Sequence, residues 1–349
     1  MDTRIYRSFF MLIIAVIALN SCKNVDQSVD KFKTEIECTL DSIKVTPVLL
    51  DERKLILAND LLISMRYDAD TVFRVFKLPD MNYLGGFGMI GKGPNEFLTP
   101  IVSSINMFNT HLSVADLRSL QLIDLTTGEQ KIESVEYVKT ISFPGELSQL
   151  NYAYMVNDSL IYGLLLSKAE KELIKYNIIN GKVTNIIDYP DIYPDLPKDS
   201  YRTLYLKQID FAPDRSKFVF TYIQIPMLRI YSIDGDLIKQ VKYADAPEQT
   251  KFSVSDGRVV NNARYFYYQN VQATNDYIFA LYELSQMQGK EFKVLSKKEM
   301  HVFDWKGKPV LKINLKDWAS TYVVSPDNSK IFFINPMKED YIYFSSLDL

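Results

Sequence analysis

The chain is poor in the side chains that most often carry chemistry. Its 349 residues include two histidines, two cysteines and two tryptophans. Two histidines exclude a His-rich metal site built from this chain alone, and two cysteines exclude a four-cysteine zinc cluster. An excess of positive charge is also missing: 40 Lys and Arg stand against 43 Asp and Glu, net −3. Without a basic run or patch there is no electrostatic footprint for nucleic acid. The sequence holds no G-x-S-x-G elbow and no H-E-x-x-H zinc motif. No segment keeps a 3.6-residue apolar period for long, so an all-helical fold is excluded. What is abundant is apolar and aromatic: 47% of residues are hydrophobic, with 23 Tyr and 20 Phe, which rules out bulk disorder.

The N-terminus reads as an export signal. Arg4 and Arg7 form a short positive region, and Phe9–Leu19 is an unbroken apolar run of eleven residues. A spanning helix needs about 20, so the run is of signal length. It ends in Leu19-Asn20-Ser21-Cys22, which resembles the lipobox of bacterial lipoproteins. The resemblance implies cleavage before Cys22, its acylation, and a membrane contact made through lipid. Two or three acyl chains anchor stably where one does not. Loss of residues 1–21 removes two arginines and one aspartate, which leaves a net charge of −4. With Cys22 committed to lipid, Cys38 has no cysteine to pair with inside the chain. It sits in the alternating stretch Thr34–Leu40, where Ile36, Cys38 and Leu40 share a face. Residues 22–33 are polar and aperiodic, and read as a lipid-proximal tether.

The remainder, 34–349, reads as strands. A turn followed by a buried strand recurs six times, at Asn59-Asp60, Asn109-Thr110, Asn157-Asp158, Pro213–Ser216, Asn275-Asp276 and Pro326–Ser329. Asn and Asp suit turns because their side chains bond nearby backbone and tolerate left-handed conformations. The steps run from 48 to about 61 residues, a period that fits one four-stranded propeller blade. A second marker, strand–turn–strand, follows in each of the first five repeats, at Pro79-Asp80, Thr127-Gly128, Asn180-Gly181, Asp234-Gly235 and Lys306-Gly307. Asn-Gly and Asp-Gly point to type I′ hairpins. The sixth repeat stops after a third strand, Tyr341–Phe344. The surplus strands in Lys33–Leu50 then supply its outer strand and remove an open edge. The expected fold is therefore all-β, a six-bladed β-propeller closed by an N-terminal strand that completes the last blade.

Residues 85–100 read GGFGMIGKGPNEFLTP. Gly86, Gly88 and Gly91 match G-x-G-x-x-G, and Gly86, Gly91 and Lys92 match most of a phosphate-binding P-loop. Both motifs need a following helix whose amides meet the phosphates. Pro94 and Pro100 follow instead, and Gly93 stands where a Mg²⁺-binding hydroxyl is required. The stretch Gly91–Phe97 with Pro100 resembles the inter-blade loop of NHL-type propellers, and Pro-Asp-x-Ser at 213–216 and 326–329 resembles blade turns of TolB-like propellers. Together with the signal and lipobox, the chain is similar to the TolB-like six-bladed propeller lipoproteins of Bacteroidetes. The resemblance implies a cell-envelope location at the outer membrane and lends no catalytic residues. In that frame Gly91, Gly93, Pro94, Glu96 and Phe97 form a structural inter-blade loop. Phe97 plugs between blades and Glu96 bonds loop amides.

His111 and His301 each start a strand about 190 residues apart and form no local metal motif. Asp60, Asp158, Asp214, Asp276 and Asp327 recur as turn residues. The tyrosines of 152–154, 201–205, 222 and 265–268 read mainly as packing between blades. Stretches 190–208, 244–264 and 285–300 exceed ordinary connection lengths and are the expected contact loops. The functional expectation is a lipid-anchored, non-enzymatic binding or scaffold protein for a protein or glycan partner, with no cofactor, no metal and no nucleic acid. The alternative is a metal-dependent hydrolase or lactonase with a central-pore site.

Overall fold

Each of the six Asn/Asp turns joins the first two strands of a separate antiparallel sheet. The computed structural model describes residues 25–349 except 69, 148–149, 166–169, 247–251, 256–257, 261–263, 316–320, 336–337 and 339. The signal segment 1–21 and Cys22 lie outside the described residues. Three short strands open the chain: β1 (Asp26–Val29), β2 (Glu35–Glu37) and β3 (Asp41–Lys44). Blade 1 is β4 (Glu52–Ala58), β5 (Leu61–Arg66), β6 (Phe73–Lys77) and β7 (Asn82–Phe87). Blade 2 is β8 (Asn106–Phe108), β9 (His111–Ala115), β10 (Ser119–Thr127) and β11 (Ile132–Ser142). Blade 3 is β12 (Leu150–Asn157), β13 (Leu160–Leu165), β14 (Leu173–Asn177) and β15 (Val183–Ile186). Blade 4 is β16 (Lys207–Phe211), β17 (Lys217–Tyr222), β18 (Met227–Ser232) and β19 (Leu237–Tyr243). A small hairpin, β20 (Ser253–Ser255) and β21 (Arg258–Val260), precedes blade 5. Blade 5 runs β22 (Arg264–Ala273), β23 (Tyr277–Gln288), β25 (Lys298–Asp304) and β26 (Pro309–Leu315), with β24 (Glu291–Val294) folded back on β23. Blade 6 has β27 (Thr321–Val324), β28 (Lys330–Ile334) and β29 (Tyr341–Ser346) from the C-terminus.

Its fourth strand is β3, antiparallel to β29 with Ile43 opposite Ile342. The N-terminus thus closes the ring as the strand count requires. It also does more than the sequence pattern suggested. β1 adds in parallel to the outer edge of blade 4, and β2 adds in parallel to the outer edge of blade 5. Residues 25–44 therefore strap three consecutive blades. The tether reading of 22–33 is corrected from Val25 onward, because β1 pairs with β19 and the side chains of Val29 and Phe32 are buried. The pattern hid this because an added edge strand gains its stability from backbone hydrogen bonds, which need no apolar alternation. Within the strap Cys38 is buried, whereas Ile36 stays exposed, so the two do not share a buried face.

The core is divided into six apolar seams, one for each pair of neighbouring blades. The seam that joins Val323, Phe332 and Ile342 of blade 6 to Leu55, Leu62 and Phe76 of blade 1 completes the circle. Second strands are covered on both faces by adjacent blades. This is why β5 and β17 read as continuous apolar runs, with Leu61–Met65 and Phe218–Tyr222 all buried. Four of the six turns reach left-handed backbone, with φ of 54° at Asn59, 53° at Asn109, 58° at Arg215 and 60° at Asn328, whereas those at Asn157-Asp158 and Asn275-Asp276 do not. The later Gly turns differ from the type I′ expectation. At Asp304–Gly307 the Gly307 amide bonds to the Asp304 carbonyl at 2.9 Å, and the positive φ falls on Gly307. The register then slips by a residue between Val302 and Phe303. That is a type I turn followed by a glycine bulge, the other hairpin solution Gly permits. Gly235 with Ser232 repeats it.

Strand direction sorts the connections onto two ends of the ring. Both hairpins of each blade lie at one end, the turn face. The second-to-third-strand and blade-to-blade connections lie at the other, the loop face.

Candidate functional site

The glycine loop packs as a wrapped carboxylate. Gly93–Glu96 is a tight turn, with the Glu96 amide bonded to the Gly93 carbonyl at 3.3 Å, Pro94 second and Asn95 third at φ 63°. Proline followed by a residue of positive φ is the type II pattern. The Gly93 amide donates to the Glu96 carboxylate at 2.6 Å. A Cβ on Gly91 would lie 2.0 Å from a Glu96 carboxylate oxygen, and one on Gly93 would lie 2.9 Å from the carboxyl carbon. The positive φ of the turn is carried by Asn95, and Gly93 is glycine because Glu96 lies against it. Phe97 is buried at 1% exposure in the seam of blades 1 and 2, edge-on to Phe73 at 5.9 Å and tilted against Tyr137 at 6.3 Å. The loop leads to a single turn, Val102–Ser104, then to β8, with no helix to receive phosphate. Phe97→Ala is expected to cost about 3 kcal/mol, at the low end for a buried phenylalanine because a loop can settle. Gly93→Val should cost about 1 kcal/mol, and exposed Lys92 replaced by alanine less than about 0.5 kcal/mol. Thermal melts with and without ATP or NAD check this. A nucleotide-induced rise that Lys92→Ala abolishes would reverse the reading.

Both histidines are built into the fold. His111 pairs with Asp124 across β9 and β10. His301 is fully buried, stacked on Tyr282 at 4.7 Å, and packed under Phe32 of the strap at 4.8 Å. Its Nε2–H donates to Glu299 at 3.0 Å and its Nδ1 accepts from the Tyr268 hydroxyl at 3.2 Å, the neutral tautomer that its burial favours. The recurrent aspartates organise turns. Asp327 accepts from the Ser325 hydroxyl and from both the amide and hydroxyl of Ser329, which hold its pKa down at about 2.

The inner strands surround an axial channel. Toward the loop face it opens into a space of about 480 Å³ that Tyr152, Asn151, Gln208 and Asn270 help to line. Toward the turn face lies a space of about 300 Å³ reached by Asp210, Arg215, Asn106 and Gln272. Lys54 lines both. Burial holds the Lys54 ammonium below the usual lysine range while Asp210 draws it back. Burial pushes the Asp210 carboxyl up against the pull of Lys54. Asp210 accepts the Ala273 amide at 2.7 Å. Arg215 Nη2 donates to Asn106 and to the Met107 carbonyl.

Calcium in such a pore needs several convergent oxygens, and these residues do not supply them. Among the described residues no three of His, Cys, Asp or Glu come together. One carboxylate faces two cations. The amide oxygens are already accepting: Asn106 from Arg215, Asn151 from the Ser103 hydroxyl, Gln208 from the Tyr152 hydroxyl and Gln272 from the Val324 amide. The pore does not fit the metal-dependent hydrolase alternative.

The loop face carries the exposed apolar groups. Of sixteen exposed large hydrophobic residues among those described, eleven sit on its connections. Val48 and Leu50 precede blade 1, and Tyr67, Met89, Leu117 and Leu206 lie on later connections. Val254 and Val260 are on the β20–β21 hairpin, and Phe292, Val294 and Leu295 on the β23–β24 extension. The described parts of the three long stretches expected as contact loops all lie at this end.

Comparison with known proteins agrees with this geometry. A family model described as "TolB-like 6-blade propeller-like" matches residues 52–327, from the first strand of blade 1 into the first turn of blade 6. The chain belongs to the TolB-like six-bladed propeller family. A member of the DUF4221 family from Bacteroides vulgatus superposes with a TM-score of 0.55 at 13% identity, covering 90% of this chain and 97% of the other. A protein from Bacteroides fragilis named as exported gives 0.55 at 9% identity, covering 93% and 99%. No curated protein sequence matches the chain.

Sequence reasoning missed two features of this TolB-like propeller. One is the channel trio Lys54, Asp210 and Arg215, and its only signal was charge inside inner strands such as Lys207–Phe211. The other lies between blades 3 and 4. The buried Glu172 carboxylate accepts from Lys207 at 2.7 Å, from Arg229 at 3.2 Å and from the Tyr222 hydroxyl at 2.8 Å. Lys207 also sits over the rings of Tyr189 and Phe220 at 5.1 and 5.4 Å. Tyr201 and Tyr205 pack against Tyr189 beside it, which gives the 190–208 stretch its own aromatic core.

Proposed function

We propose that this propeller is a non-enzymatic, lipid-anchored binding protein of the cell envelope that docks a protein partner on its loop face. The observation that carries the reading is the concentration of exposed apolar side chains at that end of the ring. Exposed apolar side chains gathered at one end of a domain suit an interaction site. Ten of the eleven groups, Phe292 and Met89 among them, are neither Tyr nor Trp, which suits a protein better than a glycan that would call for several such platforms. The envelope location draws support from the signal-like N-terminus and from the structural neighbour named as exported. No helix among the described residues is long and apolar enough to cross a membrane.

The docking test places negative charge in the patch. Phe292→Asp with Leu295→Asp should abolish cross-linking to the envelope partner, whereas Ile179→Asp on the turn face, where Ile179 is 82% exposed, should leave it intact. Retained cross-linking in the double variant, or equal loss in both, would defeat the reading. Cys22→Ala is expected to abolish acyl labelling and release the protein from the membrane fraction. Membrane retention without any label on the unaltered protein would refute the anchor.

A further inference from the structure

We propose that the axial channel binds a small hydroxylated organic anion, such as a sugar acid, with its carboxylate on the Lys54 ammonium. The site lies on the channel axis, and of the exposed loop-face residues Tyr67 also lines it.

Four observations converge on an anion. Among the described residues Lys54 has no hydrogen-bonding or ion-paired partner, although its side chain lies at the middle of the channel where both spaces meet. The ammonium is half-buried, with Asp210 as the one carboxylate near it, and a ligand carboxylate would add the direct contact that it lacks. Second, the channel carries Lys54 and Arg215 against Asp210, one net positive charge. Third, Arg215 is fixed toward the turn face by its Nη2 bonds to Asn106 and the Met107 carbonyl, whereas Lys54 is the cation that lines both spaces. Fourth, the oxygens of Asn151 and Gln208 at the mouth accept from neighbouring hydroxyls, and that of Asn270 accepts from the Val271 amide. Their NH₂ groups have no protein acceptor among the described residues. The mouth therefore offers donors, which suit ligand hydroxyl and carboxylate oxygens and repel a metal ion. Spaces of about 300 and 480 Å³ hold one sugar-sized molecule. Burial that depresses the Lys54 pKa still leaves room for a carboxylate to restore the charged form.

The test is titration calorimetry with thermal melts of the purified protein, using D-glucuronate, D-gluconate and acetate, with D-glucose and calcium chloride as contrasts. Glucuronate or gluconate should bind and raise the melting temperature, acetate should bind more weakly, and glucose and calcium should do nothing. Lys54→Met should weaken the sugar acid by about tenfold or more, the loss of one charge-assisted contact. Asp210→Asn should tighten it several-fold by removing the competing negative charge. These opposite signs separate a binding role from a structural one, in which both variants lose stability and neither changes affinity. Absence of binding by all three acids at millimolar concentration would overturn the proposal. So would unchanged affinity in Lys54→Met, or calcium binding that Asp210→Asn abolishes.

Discussion

Glu172→Ala is expected to destabilise the propeller by about 3–5 kcal/mol in chemical denaturation, the range for breaking a buried ion pair from one side. The carboxylate enters from the connection before β14 of blade 3 and is met by groups on three strands of blade 4. Those groups are Lys207, Tyr222 and Arg229. Removing it leaves two cations buried with no counter-charge. The cluster has little slack, because Arg229 Nε and the Tyr231 hydroxyl are already buried without partners. Burial lowers the Lys207 pKa, and Glu172 is the group that draws it back. Without Glu172 the folded-state pKa drops further below the unfolded value. Between those two values the unfolded chain binds the extra proton, so stability rises with pH there. The deficit of Glu172→Ala should therefore shrink toward alkaline pH, and Glu172→Gln, which keeps an acceptor, should lose less. A pH-independent deficit would mean that the damage is a cavity and that the charge network contributes little.

The ring was readable because its periodic parts are local. Asn59, Asn109 and Asn328 adopt left-handed backbone at the same point of their blades, and two to four residues of sequence are enough to show it. The missing outer strand of blade 6 was readable by counting, since three strands at Thr321–Ser346 require a fourth from elsewhere. The type I′ expectation failed because Asp234-Gly235 serves equally in a type I turn with a glycine bulge, and only the register at Ile230 and Tyr231 separates them. The functional features were hidden for a different reason. Lys54 and Asp210 lie 156 positions apart and meet only because both are on inner strands of a closed circle. Phe292 and Leu50 look in sequence like any apolar loop residue. Only the alternation of strand direction shows that they share an end. The strap on blades 4 and 5 leaves almost no side-chain pattern, because β1 and β2 are recognised by edges that the rest of the chain has already formed.

Truncation through Lys44 should be the most damaging change of all. It removes β3, so β29 becomes an open edge and the ring loses its closing strand. It uncovers the outer edges of β19 and β26 at the same time. The buried side chains lost with it are Val29, Phe32 and Cys38, and Val45 and Leu49 just beyond lose their anchorage to the blade 6–blade 1 seam. Burying a Val, Leu or Phe side chain is worth about 1.5–3 kcal/mol. Four of them together approach the whole stability of a typical domain, about 5–15 kcal/mol. Three open edges in one molecule also offer templates for strand addition between copies. The expected outcome is aggregation in size-exclusion chromatography and loss of a cooperative thermal transition. A shorter truncation, through Lys33, removes β1 and Phe32 but keeps the closing strand. It should stay monomeric and melt at a lower temperature, with the seam around His301 loosened because Phe32 no longer covers the ring. If the longer truncation proves monomeric and as stable as the intact protein, the ring does not depend on its N-terminal strand.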